Sequence, residues 1–290
     1  MNAEVYRFKV GDFECFAIND GTFVYEPPLI PPPADFLFAN APRNTLKKSL
    51  DAHGIEVAQW VAFVSPFTCL LVNTGRHKVL VDTGADGLTL NTGRLLGNLH
   101  AIGIEANDID AVILTHAHDD HIGGNTDAEG KPAFPKARYI IWKEEWAFWT
   151  SEQPETLYKN EDFTFIRKNL LSIQHQLDLI EREEEIVPGV RALAAPGHTP
   201  GHTAVSVLSE EEQLLCVADA FLHPIHIEHP EWHATFDVAP EQLAKTRHFL
   251  LSKAATEEAL VLASHFPFPG VGRVIRKGTG WQWQPIQSST

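Results

Sequence analysis

Residues 5–25 alternate apolar and polar side chains around two turn signals, Gly11-Asp12 and Asn19-Asp20-Gly21, and this alternation predicts an antiparallel meander. A second strand pair is predicted from Trp60 to Val72 and from Lys78 to Val81, separated by Asn73-Thr74-Gly75. Short apolar runs then read as buried strands: Ile109 to Leu114, Arg138 to Trp142, Gly189 to Leu193, Thr203 to Leu208 with Leu214 to Val217, and Leu260 to Ala263. Gly272 to Trp283 reads as a closing hairpin that turns at Lys277-Gly278-Thr279-Gly280. Helical periodicity falls on residues 43–53, 88–102, from Lys143 onward, 161–180 and 240–259. The charged residues from Glu181 to Glu185 read as a solvated turn. Pro27-Pro28 and Pro31-Pro32-Pro33 forbid regular structure and predict an extended arm over about residues 26–36, lying on a neighbouring surface or on a second subunit. Strands that come in consecutive pairs with helices between them imply an α/β (α+β) arrangement of sheets packed face to face with helices outside.

With 290 residues, 44% of them hydrophobic, the chain can bury a sizeable core, and no break in composition divides it, so residues 1–290 read as one domain. A net charge of −15 repels nucleic acid and anionic membranes and excludes both as expected partners. Cys15, Cys69 and Cys216 are widely spaced and odd in number; they read as small buried hydrophobes in a reducing compartment. No basic segment followed by an apolar one opens the chain, and no apolar run reaches about 18 residues, so a cytoplasmic location is expected.

The chemistry concentrates after the strand that ends at Leu114. In Thr115-His116-Ala117-His118-Asp119-Asp120-His121-Ile122-Gly123-Gly124, the side chains of His116, His118, Asp120 and His121 share one tight turn. Neutral imidazoles and an ionised carboxylate are the ligand set of zinc and similar divalent ions. Three later stretches repeat the design of an apolar strand followed by a ligand-type residue in a loop marked by glycine or proline. They are Ala195-Pro196-Gly197-His198-Thr199-Pro200-Gly201-His202, Val217-Ala218-Asp219-Ala220 and Leu262-Ala263-Ser264-His265-Phe266-Pro267.

The four stretches, in this order and spacing, resemble the metallo-β-lactamase superfamily of metal-dependent hydrolases from about Val64 to His265. The resemblance implies an αββα sandwich of two mixed sheets with the site at one rim. It assigns His116, His118 and His198 to one metal and Asp120, His121 and His265 to a second, with Asp219 bridging both. Two divalent ions about 3.5–4 Å apart share a hydroxide and polarise a substrate oxygen. Zinc is the first expectation, and manganese, iron or cobalt accept the same ligands. Asp82 and His202 match family positions that orient the ligands, and Thr199 is placed to bond within its loop.

Several branches are disfavoured. Zinc β-lactamases lack the carboxylate that Asp219 supplies, nuclease branches carry added domains and basic surfaces, and the tail after His265 is a hairpin instead of the helical domain of glutathione-thioester hydrolases. Flavin-bearing redox branches need a domain that this length does not hold. What remains resembles N-acyl-homoserine lactonases and methyl parathion hydrolase; the stretch from Ser264 to Gly272 and the proline-containing N-terminal arm look like the latter. One departure stands out, because Leu222 occupies the position where the best-known lactonases carry tyrosine. In the histidine-rich run that follows, His223 is the candidate to face the substrate. His226, His229 and His233 read as packing or surface residues, since Pro224 and Pro230 scatter their directions. The expected catalytic residues are therefore Asp120, Asp219 and His223. Phe221, Phe266, Phe268 and the group Trp142, Trp146, Phe148 and Trp149 are the expected pocket walls, suited to an apolar acyl or aryl group.

The expected activity is hydrolysis of a lactone or carboxylic ester, a small-molecule substrate, with an organophosphate triester as the alternative. A non-catalytic metal-binding protein and a redox or sulfur-transfer member of the fold are the readings from other classes. The proline arm makes a homodimer an expectation.

Overall fold

The structure, a computed structural model, describes residues 4–28, 30–157 and 163–286. Its first sheet begins with β1 (Val5–Val10) and β2 (Phe13–Tyr25), antiparallel across the Gly11-Asp12 turn, followed by β3 (Phe63–Asn73) and β4 (Lys78–Val81). β5 (Ala111–Ile113), β6 (Arg138–Trp142) and β7 (Leu177–Ile180) extend it in parallel from β4 to seven strands in sequence order. The second sheet also has seven strands. Its edge is β8 (Glu184–Val187), next come β9 (Val190–Ala194), β10 (Thr203–Ser209) and β11 (Glu212–Cys216), and the far side is β12 (Leu260–Leu262), β13 (Val271–Lys277) and β14 (Gly280–Pro285). Here only β11 and β12 pair in parallel.

Period-two alternation builds the layers. Leu70 and Val72 of β3, Val79 and Val81 of β4 and Ile113 of β5 face the second sheet, where they meet Val190, Val205, Leu214, Cys216 and Leu262. Their neighbours Cys69, Leu71, Leu80 and Val112 point the other way, toward the helices Leu95–Ala101, Lys143–Thr150 and Thr164–Ser172. On the second sheet Ala204, Leu215 and Val261 turn outward against Leu243, Leu250 and Leu251 of the long helix Pro240–Thr256. Each buried aliphatic side chain contributes about 1.5–3 kcal/mol, and a one-residue slip would turn a whole set to the wrong face, so the register is fixed by both layers at once. The result is the expected αββα sandwich, and among the described residues no helix is long and apolar enough to cross a membrane.

Several elements depart from the sequence pattern. Asn19-Asp20-Gly21 is a bulge inside one continuous strand, because the Asp20 side chain is committed to the interior. The helix expected over 161–180 is Thr164–Ser172, followed by β7; residues 161 and 162 lie outside the described residues. The solvated turn expected from Glu181 to Glu185 covers residues 181–183, and Glu184 and Glu185 instead open the edge strand β8, whose charged residues suit an edge. The proline arm does not stay extended. Pro33–Phe36 forms a helical turn with proline at its first position, where a fixed φ is already helical. Phe36, Leu37 and Phe38 are buried against Leu222, Ile225 and Trp232 of the same chain.

Asp20 is fully buried and its carboxylate accepts the backbone N–H groups of Ala85 (2.8 Å), Gly93 (3.0 Å) and Leu95 (2.9 Å). This holds the loop after β4 and confines the helix expected from residue 88 to Leu95–Ala101. Gly84 passes directly over the carboxylate at φ +78°, and a Cβ there would lie 2.3 Å from the Asp20 Cγ. Asp20→Asn keeps one acceptor oxygen and turns the other into a donor facing backbone N–H groups, so a loss of about 1–3 kcal/mol is expected. Urea unfolding would show a lowered midpoint with an unchanged slope; an unchanged midpoint would remove Asp20 from this role.

Candidate metal centre

The strands that carry the conspicuous residues end at one rim. β4 and β5 are parallel neighbours in one sheet, and β11 and β12 are parallel neighbours in the other. Asp82 follows β4, the His116 loop follows β5, Asp219 follows β11 and His265 follows β12. The carboxyl ends of parallel strands thus deliver all four loops to the same place. Thr203 N–H donates to Thr115 O (2.8 Å) and Thr68 N–H to Ser264 O (3.1 Å), which ties the loops across the sandwich.

His118 precedes the helical turn Asp119–Ile122, and that turn presents Asp120 and His121. Glycine at 123 and 124 is a packing requirement: a Cβ on Gly124 would lie 2.3 Å from Thr83 O, and one on Gly123 would lie 2.7 Å from Asp86 N. Asp82 then fixes the turn from below. It accepts the backbone N–H and the hydroxyl of Thr115 (2.8 Å each), and its Oδ2 lies 2.8 Å from His121 Nδ1. His121 Nδ1–H is thereby the donor, and Nε2 is left to face Asp219.

Two groups of donor atoms result, each converging within 4.8 Å. One comprises His116, His118, His198 and Asp219, and the other Asp120, His121 and His265. In the first, His118 Nδ1 lies 2.9 Å from His116 Nε2 and 3.0 Å from His198 Nε2, so three imidazole nitrogens point at one spot. Burial, together with the neighbouring histidines, holds the pKa of His116 and His118 well below the ordinary imidazole range, which keeps both neutral. In the second group His265 Nε2 is 3.0 Å from Asp219 Oδ1 and 3.5 Å from Asp120 Oδ2, and His121 Nε2 is 3.1 Å from Asp219 Oδ1. Burial opposes charge on His121, yet Asp219, Asp120 and Asp82 outweigh it and raise its pKa. The Asp219 carboxyl is held well below the usual carboxylate range, because His265, His121 and His116 overcome the cost of burying it.

His121 Nε2 and Asp219 Oδ1 are buried with no hydrogen-bond partner, although polar atoms out of water are normally paired. Lone pairs from buried imidazoles and carboxylates aimed at common points fit divalent cations, and the residues present suit a pair of them.

The outer partners of these histidines complete the picture. His198 Nδ1 lies 2.7 Å from Asp237 Oδ1, and Asp237 also accepts Ala234 N–H (2.7 Å). His265 Nδ1 lies 2.9 Å from Ser65 Oγ and 3.1 Å from Pro66 O. His202 Nε2 accepts the backbone N–H of Asp219 (3.2 Å) and so sets the direction of that residue. Thr199 donates out of its own loop, to Glu145 Oε2 (2.7 Å). Asp237, Ser65 and Glu145 carry no sequence signature; each is a common residue type far from the motifs in sequence, and only the fold brings it near.

His223 is placed differently from the expectation. Its ring packs among Phe38, Trp60 and Phe63, Nδ1 accepts Ile225 N–H (3.2 Å), and it is not among the residues that line the cavity at the rim. The other histidines of that run pin the N-terminal segment: His226 Nε2–H donates to Leu37 O (2.9 Å), and His229 Nε2 lies 2.8 Å from Ser49 Oγ while its ring stacks on Trp232.

The cavity, of about 370 Å³, has His118, Asp119, Asp120, Asp219 and His265 at its polar end. Its apolar wall includes Phe23, Tyr25, Phe36, Phe63, Leu88, Trp149, Phe165, Leu222 and Phe236. Of the walls expected from sequence only Trp149 takes part. Phe148, Phe221 and Phe266 are core residues, Trp142 and Phe268 pack between the sheets, and Trp146 packs against the helical layer.

Comparison with known proteins places this geometry. Residues 64–265 match the family model described as the metallo-beta-lactamase superfamily. N-acyl homoserine lactonase AiiA of Bacillus thuringiensis subsp. kurstaki is 26% identical over 221 residues, 69% of this chain and 81% of that protein. Among solved structures, AidC, a dizinc quorum-quenching lactonase in complex with a product N-hexnoyl-L-homoserine, is 30% identical and superposes with a TM-score of 0.86 over 99% of this chain and 98% of its own. The hydrolase AbOPH, in the beta lactamase superfamily, is 25% identical with a TM-score of 0.86 over 100% of both chains. A match over more than half of the sequence, carried on the same sandwich, means that the chain belongs to the metallo-β-lactamase superfamily, among its metal-dependent hydrolases and in the branch that holds the N-acyl homoserine lactonases.

Proposed function

We propose that the protein hydrolyses a lactone or carboxylic ester with a pair of divalent ions, zinc first among them. His116, His118 and His198 would hold one ion, Asp120, His121 and His265 the other, and Asp219 would be shared. When bound, the ions supply hydroxide at neutral pH and positive charge for the oxygens of the substrate. The observation that carries this reading is the cavity, whose apolar aromatic wall runs directly onto the two donor groups. An apolar acyl group on the wall sets its ester carbonyl over the polar end. Asp120, at that end, would take the proton of the attacking water, and Asp219 would hold the two ions together. Asp82, Asp237 and Ser65 hold the rings of His121, His198 and His265 in the direction their inner nitrogens need. The wall of aromatic rings supports an aryl organophosphate triester as the second substrate.

Metal-loaded protein should open a simple lactone and an N-acyl homoserine lactone and cleave p-nitrophenyl acetate, with turnover abolished by chelation and restored by zinc. Absence of chelator-sensitive turnover on these substrates and on paraoxon would favour a metal-binding protein without catalysis. Asp219→Ala should retain at most one of the two ions by elemental analysis and lose most activity; a variant that keeps both would refute the shared position. Asp237→Asn should weaken metal binding about 10–100-fold in a competitive chelator titration, because it weakens the acceptor that orients the His198 ring. Unaltered affinity would show that His198 needs no such support.

A further inference from the structure

The wall of the cavity is apolar with one exception. β2 and β3 pair with Phe23 opposite Ser65 and Tyr25 opposite Phe63, and all four residues line the cavity. The intervening pair, Val24 and Val64, points to the other face and is exposed. Strand alternation therefore commits Tyr25 to the cavity. Its ring is wedged by Phe23 (4.7 Å between ring centres), Phe36 (5.6 Å) and Phe63 (6.2 Å), which leaves it little freedom to turn away.

Other groups at the cavity have their protons or lone pairs engaged. Ser65 is bonded to His265, Trp149 Nε1–H donates to Glu145 Oε1 (2.6 Å), Leu222 brings no polar atom, and the remaining polar groups are carboxylates or donor-group histidines. Among the described residues that line the cavity, the Tyr25 hydroxyl is the neutral proton donor without a protein partner. It also stands at a particular end. The strand pair that carries it is the one whose Ser65 supports His265, and the charges that reach its phenol are those of Asp120, Asp119 and Asp219. Tyr25 thus stands on the strand pair that supports His265, in the cavity it shares with Asp120 and Asp219.

We infer that Tyr25 is a catalytic residue whose hydroxyl donates a hydrogen bond to the alcohol oxygen that leaves when the ester is cleaved. This rests on the hydrolase reading above and adds to it a specific group for the departing oxygen. In the reaction the oxygen of water bonds to the carbonyl carbon, the bond from that carbon to the alcohol oxygen breaks, and the departing alkoxide ends as an alcohol with a proton from water. A hydrogen bond from a fixed phenol in an apolar cavity stabilises the negative charge on the departing oxygen while that bond breaks. The demand is large for an alkoxide and small for a p-nitrophenolate, which leaves readily unaided.

The test compares Tyr25→Phe with the parent, both as full-length zinc-loaded protein, on an alkyl lactone and on p-nitrophenyl acetate. We expect kcat on the lactone to fall about 100-fold with KM little changed, while p-nitrophenyl acetate turnover falls only a few-fold. Zinc content by elemental analysis and the far-UV spectrum should match the parent. A variant that keeps its kcat on the lactone, loses the same factor on both substrates, or loses its activity together with zinc would overturn the role. A parent without chelator-sensitive turnover on either substrate would instead overturn the hydrolase reading, and so the two failures are distinguishable.

Discussion

Asp219 lies buried with His116, His121, His198 and His265 around it, and an ionised carboxylate removed from water must be matched by positive charge close by. Neutral imidazoles cannot supply that charge. The histidines on the Asp120 side lean toward protonation, since the carboxylates raise His121 and His265, while His116 and His118 on the other side are held neutral by burial and by neighbouring histidines. The constellation therefore asks for cations. The surrounding structure serves this demand by leaving His121 Nε2 and Asp219 Oδ1 without hydrogen-bond partners and by placing an oxygen atom beside the outer nitrogens of His116, His121, His198 and His265.

The fold meets that requirement through strand direction. Parallel pairs at the centre of each sheet release their chains at a common rim, so residues distant in sequence arrive on short, well-anchored loops. Stiffness comes from backbone contacts too close for side chains, as where Gly124 meets Thr83 O, and from carboxylates buried to bind backbone N–H groups, as Asp20 does. These features hold the site from outside and touch no substrate.

Much of this was legible in the sequence, for a physical reason. Ligand-type residues in loops after apolar strands announce themselves because few other structures tolerate such clusters, and the strands that deliver them stand out as short apolar runs because both their faces are buried. What stayed hidden depends on the third dimension. Leu177–Ile180 is an edge strand with little burial, and its pattern merges with the helix before it. The orienting residues Asp237 and Ser65 reach their histidines across gaps of 39 and 200 residues. Part of the aromatic wall comes from Phe36, in the segment that proline content marks as irregular, and from Phe23 and Tyr25 of the strand before it, which still pack inward. His223 shows the converse, for nearness in sequence to Asp219 did not bring it to the cavity wall.

Glu145 shows how wall and donors are coupled. This fully buried carboxylate accepts Ala117 N–H (3.0 Å) from the first histidine loop, Gly201 N–H (3.0 Å) and the Thr199 hydroxyl from the second, and Trp149 Nε1–H from the cavity wall. Burial pushes its pKa up, and the four donors oppose that shift. A single group thus fixes the spacing between the loops of His116 and His198 and the position of a ring against which the substrate would lie. Any displacement of the wall at Trp149 is transmitted to both histidine loops, so the shape of the apolar cavity and the geometry of the donor atoms are set together. The wall in this protein is therefore part of the same rigid unit as the chemistry.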